Sequence, residues 1–122
     1  MPIQSYRDLV VWQKSMSLAT RVYVVARGLP HHDRSTLGAQ LQRSAISIPS
    51  NIAEGWARGL GRTYILQLRI ALGSEAELQT QLELAERIGI VGPETTRALL
   101  DDAAEVGRML RALVKALNRP AE

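Results

Sequence analysis

Gln40, Arg43, Ser47, Asn51 and Glu54 recur at spacings of three and four, which places them on one face of a helix. A solvated face is rich in Lys and Glu. This one has a single Arg and a single Glu separated by short side chains that donate and accept hydrogen bonds, as is usual where polar atoms are satisfied inside a structure or against a partner. Glu77, further along, is the acidic group expected to pair with Arg43. The stripe is therefore expected to be removed from solvent, to contain at least one Arg–Glu contact among Arg43, Glu54 and Glu77, and to serve structure or assembly before ligand contact. Catalysis is not expected. Nothing activates Ser47, since no nucleophile, base and orienting group stand at related spacings. His31 and His32, adjacent in a turn with only Asp33 nearby, are too sparse for a metal site. The GLGR run after the stripe lacks the spacing and the preceding strand of a phosphate loop, so no cofactor is expected.

A second group is basic. Arg7, Lys14 and Arg21 lie seven apart, and Arg58, Arg62 and Arg69 cluster around a later turn. Residues 1–69 carry nine Lys and Arg against three acids, while residues 70–122 carry six against nine. A basic half attracts RNA or DNA, or meets the acidic half of another copy through Glu75, Glu83 and Glu86. The sequence has no Phe, and Trp12, Tyr23 and Tyr64 fall on apolar stripes, with Trp56 as the exception. Contact with nucleic acid is therefore expected through phosphates and not through stacked bases.

The elements that position these groups are helices over 6–27, 34–57, 62–88 and 93–118, within one domain over 1–122. Ser5 or Asp8 caps the first, Asp33 caps the second, and Pro93 opens the fourth. In the first helix, Leu9, Trp12, Met16, Ala19, Tyr23 and Ala26 form a seam for packing within the bundle. Val11, Leu18, Val22, Val25 and Leu29 form a second stripe, expected to be a subunit interface because one small bundle buries one broad face of each helix. Pro49 lies inside the second helix. The apolar stripes hold their phase through it, so a kinked but continuous helix is expected. Gly73 in the third helix suggests close approach of a neighbouring backbone. The fourth helix has one narrow apolar stripe and a back bearing Arg97, Arg108, Arg111, Lys115 and Arg119, and the chain should fray after it. Short turns force antiparallel neighbours, so the fold class is all-α, an antiparallel up-down-up-down four-helix bundle.

There are no cysteines, no apolar run long enough to span a membrane and no apolar signal core near the N-terminus, from which a cytoplasmic protein is expected. The segments YRDLVVWQKS, GLPHHD, LGAQLQRSAISIPSNIAEGWARG and YILQLRIALGSEAELQTQLELAERIGIV occur in that order, followed by a leucine-rich helix. Over 6–117 the chain resembles the four-helix bundle proteins encoded within intervening sequences of large-subunit ribosomal RNA. The specific centre is Q-x-x-R-S-A-x-S-I-P-S-N-I-A-E-G at 40–55, supported by A-x-G-S-x-x-E-L-x-T at 71–80. A related branch comprises accessory proteins of diversity-generating retroelements. The resemblance implies a homopentameric ring, and nucleic acid or a partner such as a reverse transcriptase as what it works with.

Overall fold

A computed structural model describes residues 2–59 and 61–119. The chain opens with a single 3₁₀ turn at Tyr6–Asp8 and continues through α1 (Val10–Arg27), α2 (His31–Ser35), α3 (Leu37–Ala57), α4 (Arg62–Arg87) and α5 (Pro93–Leu117). The four long helices form an antiparallel bundle in which α3 packs between α1 and α4, and α5 closes the ring between α4 and α1. The α3–α4 seam is the most extensive.

Two helix starts differ from the expected ones. The first helix is broken at Leu9, whose backbone is extended (ψ 125°). The cause is local. Ser5 Oγ accepts from the Arg7 N–H at 3.0 Å, and Asp8 Oδ2 accepts from the N–H groups of Gln4 and Ser5 at 2.8 and 3.2 Å. This capping box closes its own turn, and α1 begins after it. The second expected helix is split. Its first turns form α2, starting directly after Pro30, so Asp33 lies within a helix and does not cap the next one. Thr36 ends α2 by donating its hydroxyl to the His32 carbonyl at 3.1 Å. α3 then runs unbroken through Pro49, although that residue has no N–H for the Ala45 carbonyl. Gly59 and Gly61 adopt φ of 105° and 112°, which the reversal into α4 requires and which a side chain would strain. Residue 60 of that turn, and residues 120–122 of the segment expected to fray, lie outside the described residues.

The core is aliphatic. Leu18 and Val22 of α1 meet Leu41, Ile48 and Ile52 of α3, Leu68, Leu78 and Leu82 of α4, and Val106 and Leu110 of α5. This corrects the reading of the first helix. Val22 is 0% and Leu18 1% exposed, Val11 is also buried, and Val25 is half-buried against the core. None of them is available as an exposed subunit interface. Of the stripe expected inside, Met16 and Tyr23 are exposed, Leu9, Trp12 and Ala19 are half-buried, and Ala26 alone is buried. Two apolar stripes of similar quality ran along that helix, and periodicity alone does not say which one the other helices cover.

α3 and α4 approach closely at Gly55. A Cβ there would stand 2.8 Å from Gln67 Cβ and 3.0 Å from Tyr64 Cδ1. Gly73, expected to play that role, has no atom of another helix within 4 Å of where a Cβ would stand, so among the described residues no neighbouring backbone packs on it.

Candidate assembly and nucleic-acid surfaces

The polar stripe of α3 divides into two parts. Its middle is tied into the α3–α4 seam: Ser47 and Ser74 hydroxyls hydrogen-bond at 2.7 Å, and Asn51 Nδ2 donates to the Ser47 carbonyl at 2.8 Å and to its hydroxyl at 2.9 Å. Its ends are not buried. Gln40, Arg43 and Glu54 are exposed, as is Glu77 on α4. The expected Arg–Glu contact among Arg43, Glu54 and Glu77 is absent among the described residues. Glu54 pairs instead with Arg58 one turn on, at 2.8 Å, and Arg43 Nη1 reaches Gln40 Oε1 at 3.4 Å.

The buried carboxylate is a different residue. Glu75 is 3% exposed in the α4–α5 seam, where Gln79 donates a hydrogen bond to it. Gly107 makes room for it, since a Cβ at that position would lie 2.7 Å from Glu75 Oε1. Glu75 is therefore not an acidic group offered to another copy's arginines, whereas Glu83 and Glu86 are exposed. The signal for its burial was present in the sequence: it lies seven from both Leu68 and Leu82, on the core stripe. Tyr64 is the other buried titratable group among the described residues. Its hydroxyl has no partner among the described residues, and burial pushes its phenol above the usual 10.0.

The basic candidates also separate. Lys14 Nζ lies 3.2 Å from Glu105 Oε1, and Arg21 pairs with Asp102, so two members of the α1 strip are engaged by α5 of the same chain. Arg7 is exposed and stacks over the Tyr6 ring at 4.6 Å. Arg58 is held by Glu54. Arg62 and Arg69 are exposed on α4 and form no ion pair among the described residues.

Large apolar side chains reach solvent on two faces. On the first, Trp12, Met16, Tyr23 and Val24 of α1 line a groove of about 500 Å³ against Ile46 and Pro49 of α3; Val24 is 63% and Ile46 51% exposed. On the second, Leu66, Ile70, Leu84 and Ile88 run along the outside of α4, with Gly73, Glu77 and Gln81 between them. Leu84 and Ile88 line a second cleft, of about 560 Å³, with Ala39, Gln40 and Arg43 of α3. The spacing of Leu66, Ile70, Leu84 and Ile88 puts them on one stripe of α4, but spacing does not say that this stripe is left uncovered. No group of metal-ligating side chains occurs among the described residues, and no helix among them is long and apolar enough to cross a membrane.

The comparisons with known proteins agree with this bundle. The chain is similar to a solved protein of unknown function from the S23 ribosomal protein family of Bacteroides thetaiotaomicron, with 28% identity and a TM-score of 0.79 over 87% of this chain and 99% of that one. No curated protein matches it. The family model of the 23S rRNA-intervening sequence protein matches residues 7–112, nearly the whole bundle, and the chain belongs to that family.

Proposed function

We propose that this chain is a non-enzymatic accessory protein that assembles with copies of itself and holds the phosphate backbone of a nucleic acid. The observation that carries the reading is the pair of exposed apolar faces, one on the α1–α3 groove and one on the outside of α4. Exposed apolar patches rimmed by polar groups mark interaction sites. The two faces differ, so a contact of one with the other is head-to-tail, and such contacts generate a ring when the rotation closes. Five copies is the number that the family resemblance implies. Arg43 and Glu77 sit beside the α4 face and are exposed in the single chain, which fits the role in assembly expected of the polar stripe. Catalysis has no support in a set of side chains placed as nucleophile and base.

Light scattering tests the assembly. At micromolar concentration the wild type is expected as a closed oligomer, and Val24→Glu and Ile70→Glu are each expected to give smaller species with unchanged helical content. A wild type that scatters as a monomer would sink the assembly. Retention of labelled RNA or DNA at ~50 mM salt, where phosphate contacts are strongest, tests the binding. A second reading, a docking platform for another protein, is supported by the apolar lining of the α1–α3 groove, with Trp12 and Tyr23 as aromatic anchors. It becomes the better reading if no nucleic acid is retained.

A further inference from the structure

We infer that the phosphate backbone is held at one end of the bundle, by the C-terminal half of α5 together with the N-terminal half of α4. This rests on the nucleic-acid reading above and moves its site away from the α1 strip. Residues 106–119 contain Arg108, Arg111, Lys115 and Arg119 and no acid, whereas residues 93–105 contain Glu94, Asp101, Asp102 and Glu105 against Arg97 alone. Arg108, Arg111 and Lys115 are spaced three and four apart on α5, so they form one row with a rise of roughly 4.5–6 Å between neighbours, and Arg119 follows just past the helix end at Leu117. All four are exposed, and none forms an ion pair among the described residues. The helix macrodipole explains a cation only in the last turn. Arg108, nine residues before Leu117, is well outside its reach.

Topology adds the second half of the surface. Gly107 faces α4 across Glu75. Arg111 and Lys115, four and eight residues further on, continue that side of α5 towards the end where the antiparallel α4 begins. There α4 supplies the exposed Arg62 and Arg69 and has no acid before Glu75, which is buried. Residues 106–119 and the first half of α4 therefore bring six cations to one end with no exposed carboxylate on either stretch. Neither stretch carries an exposed aromatic residue, so binding is to phosphates and tolerant of sequence. A membrane surface fits less well. An interfacial helix inserts an apolar face, and that of α5 (Leu99, Val106, Leu110, Val114) is already buried in the core. The outer face of α5 shows no exposed large apolar residue before Leu117, so assembly through the two apolar faces leaves the row open in every copy.

The test is retention of a fluorescent 30-nucleotide oligouridylate across a salt series, with the full chain. For Arg108→Gln/Arg111→Gln/Lys115→Gln, the expected result is an affinity about 30-fold lower at ~50 mM salt and a salt slope smaller by about 2, the loss of three contacts to a single strand. The charge-keeping variant Arg108→Lys/Arg111→Lys is expected to bind within about threefold of wild type. If the triple variant loses helical signal, the single variants Arg108→Gln and Lys115→Gln carry the comparison, each expected to lower the slope by about 0.7. A wild type that binds while the glutamine variants match it in affinity and slope overturns this site and leaves the nucleic-acid reading standing. A wild type that retains no oligonucleotide, or that binds only phosphatidylserine vesicles, overturns both.

Discussion

Tyr64 and Gly55 show how closely α3 and α4 are fitted. Because the buried phenol of Tyr64 titrates above 10.0, the folded state resists its ionisation. The unfolded chain releases that proton at lower pH, so stability is full below about pH 10 and falls as the pH rises from there towards the folded-state value. Denaturation midpoints should accordingly drop more steeply above pH 10 in the wild type than in Tyr64→Phe, and equal slopes would place the phenol in water. A Cβ at Gly55 meets Gln67 Cβ, an atom next to the backbone that cannot swing away. Gly55→Ala should lower stability by about 1–3 kcal/mol, the usual range for overpacking, as read by chemical denaturation. Gly73 is the contrasting case. It is exposed, has open space around it and lies in mid-helix, so Gly73→Ala should stabilise the single bundle by up to about 1 kcal/mol. If α4 is an assembly face, the same change should weaken the oligomer, because the added methyl keeps a neighbouring copy from approaching.

At the scale of elements, α1 is anchored to the bundle by Leu18 and Val22 and not by its ion pairs to α5. Val22→Glu puts a carboxylate at a position with no access to solvent, and it should unfold the chain where Val24→Glu leaves circular dichroism unchanged. The Arg21–Asp102 pair is different. Its side chains are 58% and 30% exposed, so solvent screens it, and a double-mutant cycle should return a coupling below about 1 kcal/mol. The pairs of Lys14 and Arg21 with α5 matter more for charge placement. They engage two of the four acids in the first half of α5 and leave the cations at its other end without a partner among the described residues.

For the whole molecule, the decisive question is whether the two apolar faces bind each other. A head-to-tail contact makes a specific demand on mixtures. Val24→Glu disables one face and Ile70→Glu the other, so a mixture of the two proteins retains one good junction and should form a heterodimer of limited size. Neither protein alone should do so, and light scattering distinguishes the cases. An isologous contact, in which each face binds its own copy, predicts homodimers from each variant alone. Arg43→Ala and Glu77→Ala should weaken assembly without lowering the helical content of the single chain, because neither side chain is buried within it.

Much of this molecule was legible in its residues. The four long helices, their antiparallel order and continuity through Pro49 followed from period, turn chemistry and the phase of stripes on either side of the proline, all of them local properties, whereas the separate short α2 did not. The Ser47 and Asn51 part of the polar stripe also packed as their short side chains suggested. Three things were decided only by the tertiary structure. Which of the two apolar stripes of α1 turned inward depended on what α3, α4 and α5 presented to it. Whether Arg43, Glu54 and Glu77 met depended on how close α3 and α4 came, and Glu54 found Arg58 on its own helix first. The basic half of the chain looked uniform in sequence, yet Glu105 and Asp102, more than eighty residues away, took Lys14 and Arg21 out of it. Period and charge report what a helix offers. Only the positions of the other helices settle which part of that offer is taken up within the chain and which is left for a partner.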